Sequence, residues 1–168
     1  MEVKKIYFDM DGVLADFDRG IKEIIGMTPM PQDSTTDEYD AKLWQGVRDA
    51  GHYYYMLKPM QDAELLVSRI YAVHGEKCGI LSGVPKPDKG VTTSREDKEN
   101  WMKKYFPEIK DINLVLKADK PKFCTGIDCI LIDDLQKNID AWEAAGGTGI
   151  LHKNAEDTLA QLEKLGVI

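Results

Sequence analysis

Three acids close an apolar run in the stretch IYFDMDGVLADF: Asp9 and Asp11 flank Met10, and Asp16 follows shortly after. A second acidic pair, Asp133-Asp134, ends the apolar run CILIDD, and Ser82-Gly83 ends KCGILSG. Carboxylates are poor strand residues and costly to bury unpaired. Gathered in one place they repel each other unless a cation lies among them, and hard oxygen donors with room for water suit Mg2+. Taken singly, Asp16 and Asp134 have a plain structural account as caps of the helices that follow. Two acidic run ends together with a hydroxyl run end form a set that capping does not explain. DMDG is not a calcium loop, because Gly12 comes fourth rather than sixth and a strand pattern precedes it.

The elements that must position these groups are legible as pattern. VKKIYFD (3–9), KCGILSG (77–83), DINLVLK (111–117), DCILIDD (128–134) and TGILH (148–152) predict five strands, apolar on both faces. Helical spacing separates them. Residues 61–75 carry Leu65, Leu66, Ile70 and Val73 as a stripe, and residues 94–107 run from a Ser94 cap to a Pro107 stop. A helix over LQKNIDAWEAAGG and a last one capped by Asn154, with Leu159, Leu162 and Leu165 inward, complete the alternation. This order predicts an α/β fold with a Rossmann-like parallel sheet. Residues 17–60 interrupt it. They predict a helix over 16–26, a Pro-containing loop, a helix over 36–51 with Tyr39, Leu43, Trp44 and Val47 on one face, and an ambiguous return segment HYYYMLKP. The expected organisation is a core of 1–16 and 61–168 with a small helical cap, 17–60, inserted after the first strand. Ligands of open parallel sheets bind beyond the carboxyl ends of the strands, which brings Asp9, Ser82, Asp133 and Asp134 to one edge.

With 29 acids against 22 lysines and arginines, the net charge of −7 argues against a nucleic-acid polymer as partner. A small phosphorylated ligand held by a few local cations and a metal remains compatible. No run reaches membrane-spanning length and the N-terminus lacks a signal-peptide pattern, so no membrane partner and a cytoplasmic address are expected. Cys78, Cys124 and Cys129 read as buried free thiols of a reducing compartment. A homodimer is left open. His52, His74 and His152 are scattered and receive no role, and Asp119-Lys120, in a loop after the third strand, lies where it could approach the site, although exposure is the simpler expectation.

DMDGV after a strand, ILSG, a helical lysine and ILIDD, in that order, resemble the haloacid dehalogenase-like phosphohydrolases over essentially the whole chain. Within that superfamily DMDGVLADF, LKPMQDAELLVSRI and DKENWMKKYFP resemble the 5′(3′)-deoxyribonucleotidase branch, the cytosolic type C 5′-nucleotidases. One departure is Leu81-Ser82, where the branch usually reads Thr-Ser. The resemblance implies that Asp9 is the nucleophile and forms an aspartyl-phosphate, while Asp11 is the general acid and then the base. It implies a Mg2+ site from Asp9, Asp11, Asp133 and Asp134. It makes Lys98 the matching lysine, with Ser82 and the Gly83 N–H on the phosphoryl oxygens, and Phe17 the ring that stacks a base. Trp44 and Tyr53 to Tyr55 either complete that slot or form the cap's own core. The implied activity is Mg2+-dependent hydrolysis of nucleoside monophosphates. The alternatives are a phosphatase for another small metabolite, such as a sugar phosphate, and a non-catalytic binder of a phosphorylated ligand. Presence of both Asp9 and Asp11 argues against the binder.

Overall fold

In the computed structural model, which describes residues 1–168, strands β1 (Lys5–Phe8), β2 (Cys78–Gly83), β3 (Asp111–Val115), β4 (Cys129–Asp133) and β5 (Thr148–Leu151) form one sheet. All neighbours are parallel, in the order β3-β2-β1-β4-β5. The chain therefore winds outward from β1 in one direction, then crosses back to continue on the other side. Such a reversal leaves a crevice at the strand ends where ligands bind. Register carries the chemistry into that crevice: Phe8 pairs with Ile132, so Asp9 follows beside Asp133, and the Asp9 N–H donates to the Ile132 carbonyl at 2.9 Å.

Alternation along the strands builds two layers. Ile6, Phe8, Ile80, Ile130 and Ile132 face the larger apolar core, with Leu66 and Ile70 of α4 (Ala63–His74), Trp101 of α5 (Ser94–Tyr105) and Leu159 of α7 (Ala155–Lys164). Tyr7, Leu81, Cys129 and Leu131 face the other side, against Trp142 of α6 (Gln136–Ala144). The Trp142 indole donates to the Cys129 carbonyl at 3.1 Å, so the one polar atom of that ring is satisfied in the core.

The segment between β1 and β2 contains no strand. Its ends are zipped together: the Asp16 N–H donates to the Lys58 carbonyl and the Met60 N–H to the Leu14 carbonyl. Between them lie α1 (Phe17–Gly20), α2 (Asp37–Ala50) and the one-turn α3 (Tyr53–Met56). Leu43, Val47, Tyr53 and Leu57 belong to the same apolar cluster as Phe8 and Ile80, and the Trp101 indole donates to the Leu57 carbonyl at 2.9 Å. The insertion thus rests on α5 through a shared core.

Local capping follows the sequence where the cap is local. Asp16 accepts the Arg19 N–H at 3.2 Å, and Asn154 accepts the Asp157 N–H at 2.8 Å. Elsewhere the structure departs from expectation. The helix expected over 16–26 stops as an α-helix at Gly20 and widens into a π turn, Ile21–Ile25, which ends at Gly26. The wide turn buries Ile21 and presses Ile25 onto α2, where a Cβ at Gly46 would lie 2.4 Å from Ile25 Cγ2. Ser94 is not the N-cap of α5; Thr93 is, and Ser94 is its buried first residue. Leu65, Val73 and Leu165 are exposed rather than inward. The buried stripe of α4 is Ala63, Leu66, Val67 and Ile70, narrower than the apolar content suggests, and Leu165 lies beyond the last turn of α7. All three cysteines are free, but Cys124 is half-buried rather than buried because it lies in the loop before β4, and no helix is long and apolar enough to cross a membrane.

Candidate active site

Two buried lysines divide the acids of DMD between them. Asp9, just past β1, accepts a hydrogen bond from Lys120 Nζ at 3.0 Å, and the same ammonium donates to Asp133 Oδ2 at 2.8 Å. Lys120 is only 3% exposed, which corrects the expectation of a surface loop. After β3 the chain turns through a short 3-10 segment, Lys117–Phe123, and that turn sends Lys120 back under the sheet edge while Lys122 pairs outside with Asp119. The available signal was topological: the third strand ends on the same edge as the acids, so a lysine just past it lies within reach of them.

Asp133 is wholly buried and fully engaged. Its Oδ1 accepts the Leu135 N–H at 3.0 Å, and its Oδ2 accepts from Asn138 Nδ2 at 3.0 Å as well as from Lys120. Asp134 is half-buried, and no side-chain cation pairs with it. It fits only because residue 12 is glycine: at φ +84°, a Cβ on Gly12 would lie 2.0 Å from Asp134 Oδ2. One oxygen from each of Asp9, Asp133 and Asp134 lies within 4.8 Å of the others.

The electrostatics are those of an acidic cluster short of positive charge. Burial raises the Asp9 carboxyl above its ordinary 3.8, the Asp133 charge raises it further, and Lys120 opposes both in part. Burial also raises Asp134, helped by Asp9 and Asp133. Burial by itself would lower Lys120, but Asp9 and Asp133 outweigh it and hold the ammonium charged. Crowded, hard oxygen donors that resist ionisation unless a cation arrives are the donor set of a divalent ion such as Mg2+. The residues present fit such an ion.

Lys98 serves the other acid. Reaching from the first half of α5, its Nζ donates to Asp11 Oδ2 at 3.0 Å, to Ser82 Oγ at 2.8 Å and to the Gly83 carbonyl at 2.8 Å. The structure thus brings Asp11, Ser82, Gly83 and Lys98 together around one ammonium that is 1% exposed. Asp11 Oδ1 is buried without a hydrogen-bond partner. The ring of Tyr54 lies 4.8 Å from Lys98 Nζ, a cation–π contact that closes one side of this corner.

Phe17 joins the site through its neighbours. Its ring meets Tyr53 edge-on at 5.3 Å and Tyr54 at 6.1 Å, and the Tyr53 hydroxyl donates to the Phe17 carbonyl at 2.9 Å. The other aromatics expected near the slot turn elsewhere. Trp44 stacks under Lys89 of the loop after β2, and Tyr55 is exposed beneath Lys104.

A parallel sheet with an acid pair behind β1, a second behind β4 and a serine at the end of β2 defines a haloacid dehalogenase-like hydrolase. Solved structures share the fold. A haloacid dehalogenase-like family hydrolase from Streptococcus pneumoniae is 13% identical with a TM-score of 0.61, over 98% of this chain and 97% of that one. The HAD-hydrolase YfnB from Bacillus subtilis, bound to magnesium, is 13% identical with a TM-score of 0.57, over 89% and 86%. A HAD family hydrolase from Deinococcus radiodurans with bound phosphate and sodium is 15% identical with a TM-score of 0.56, over 98% and 88%. Among curated proteins none matches this sequence. The family described as 5′ nucleotidase, deoxy (Pyrimidine), cytosolic type C protein matches residues 2–161, and the chain belongs to that family.

Proposed function

We propose that the protein is a Mg2+-dependent phosphomonoesterase that hydrolyses nucleoside monophosphates through an aspartyl-phosphate on Asp9. One observation carries the reading. The two acids of a single tripeptide have different lysine partners, Lys120 for Asp9 and Lys98 for Asp11, so they are set up for different tasks. Membership of the nucleotidase family supports the substrate class.

Asp9, Asp134 and the Asp11 carbonyl would hold the metal, while Asp133, its oxygens already engaged by chain donors, fixes Lys120 beside Asp9. Bound Mg2+ supplies positive charge that offsets the acids and the phosphoryl oxygens. A carboxylate oxygen of Asp9 attacks phosphorus, and the ester P–O bond breaks as the Asp9–phosphorus bond forms. Asp11, steadied by Lys98, gives its proton to the leaving alkoxide. It then takes a proton from the water that attacks the acyl-phosphate, releasing inorganic phosphate and restoring the Asp9 carboxylate. Lys98, Lys120, the Ser82 hydroxyl and the Gly83 N–H stabilise charge spread over the phosphoryl oxygens. Phe17 offers a ring on which a base can stack. Free thiols at Cys78, Cys124 and Cys129 support a cytoplasmic address.

A second reading, a phosphatase for a small sugar phosphate, is favoured by the packing of Phe17 against Tyr53 and Tyr54, which ties that ring into the insertion's own aromatic cluster. A screen of nucleoside monophosphates and sugar phosphates, with and without Mg2+, separates the two. Turnover of nucleotides that chelation abolishes is the expected result. Turnover of sugar phosphates alone establishes the second reading, and turnover of no phosphomonoester overturns both.

A further inference from the structure

We propose that His52 and Asp97 are positioning residues: they clamp the aromatic turn α3 onto α5 so that Tyr54 lies over Lys98. Its catalytic consequence rests on the phosphatase reading above; the clamp itself does not.

His52 immediately precedes α3, and Asp97 immediately precedes Lys98. His52 Nδ1 lies 2.8 Å from Asp97 Oδ1, and two residues past His52 and one past Asp97, Lys98 Nζ lies 4.8 Å from the Tyr54 ring. The contacts form two rungs of a ladder between the insertion and the core. Thr93 Oγ1 donates to the Gly51 carbonyl at 2.9 Å, and Trp101 Nε1 to the Leu57 carbonyl, so both ends of the turn are fastened to the same helix.

Asp97 is the unusual member. It is 2% exposed, and its Oδ2 is buried with no hydrogen-bond partner, whereas the His52 side chain is 62% exposed. A buried carboxylate without a counter-ion is costly. The other charges around the pair are committed elsewhere. On α5, Lys98 serves Asp11, Ser82 and Gly83, Arg95 donates to the Leu114 carbonyl, and Lys104 lies over Tyr55 and Tyr105. At the end of α2, Arg48 donates to the Lys89 carbonyl and Asp49 accepts from Gln45. His52 is therefore the side chain that partners Asp97. Without it the buried carboxylate has no side-chain partner, and opening the turn to water becomes the cheaper state. Opening lifts Tyr54 from Lys98 and wets the corner that holds Asp11.

Hydrogen exchange at the amides of residues 51–57 in the full chain reads the clamp without any substrate. His52→Ala, a change at an exposed ring, should lower protection by about 2- to 10-fold, the worth of one hydrogen bond. Asp97→Ala should lower it too, because it removes the same contact. With a nucleoside monophosphate, His52→Ala should lower kcat by a similar factor and leave KM little changed. Unchanged exchange in His52→Ala overturns the clamp. If the clamp is seen but no phosphomonoester turns over, the phosphatase reading fails and the clamp stands.

Discussion

The sheet edge and the insertion hold their polar groups in opposite ways. At the edge, Asp9, Lys120 and Asp133 are sealed from water and bonded to one another, as are Lys98 and Ser82, with Asp11 beside them. In the insertion several polar ties to the core lie at the surface, such as Lys117 on Gln32 at 2.9 Å and Arg48 on the Lys89 carbonyl at 2.6 Å, beside the buried ties of the Trp101 indole and Asp97. Tyr53, Tyr54 and Phe17 shape that region by packing instead. Buried ionic contacts fail expensively when one partner is lost, whereas exposed ones are worth little. The edge is built to keep one geometry, and the insertion can vary its contacts without losing the fold.

The sharpest way to break this comparison is Asp9→Asn. Turnover should vanish while the melting temperature stays level or rises, because the change removes one charge from a crowded acidic edge and keeps the side chain's size. Substantial residual activity would end the covalent mechanism.

Next in size is Lys120→Met. It leaves Asp9 and Asp133 buried without their ammonium, and urea denaturation should show a loss of about 3–5 kcal/mol, the usual cost of removing one partner from a buried pair. A melt like wild type would mean the edge tolerates uncompensated charge, against the contrast drawn here.

Phe17→Ala tests the other region. If the ring stacks a base, KM for nucleoside monophosphates should rise about 5- to 150-fold, from a lost contact of ~1–3 kcal/mol. A non-aromatic phosphomonoester should be little affected. Equal slowing of every substrate would assign Phe17 to packing.

The smallest effect is in pH. Asp9 and Asp134 have folded-state pKa values raised by burial, so their contribution favours the folded state in acid and is lost as pH rises from the ordinary 3.8 through the raised values. Burial lowers His152, so its contribution is present above its ordinary 6.5 and is lost as pH falls below it. The difference in melting temperature with and without Mg2+ isolates the acids, because His152 is common to both. That difference should grow by about 2–4 °C for each kcal/mol regained between mildly acid and mildly alkaline buffer. A difference independent of pH would mean that Mg2+ binds away from these acids.

What could be read in the sequence was what local pattern decides. Apolar runs ending in acids located β1 and β4 with their carboxylates, and Asp16 and Asn154 capped helices that begin beside them. What could not be read depended on distant partners. Nothing near Lys120 in the sequence distinguishes it from Lys122; its burial is decided by Asp9, 111 residues away. His52 meets Asp97 across 45 residues. The exposed Leu65 and Val73 carry the same lesson, since the width of a buried stripe is set by the helix or sheet it faces.

The central place of β1 has a consequence for synthesis. A ribosome delivers Asp9 early, but the ammonium that steadies it arrives only after β3, and the strand that covers the second side of β1 comes later still. A chain released after α5 would already contain Asp9, Ser82 and Lys98, yet one side of β1 would offer unpaired amides and carbonyls to any neighbouring strand. Such open edges favour association with other chains. The unfinished product is thus expected to aggregate rather than to show weak catalysis, and the cell gains activity from this chain only once β4 has docked.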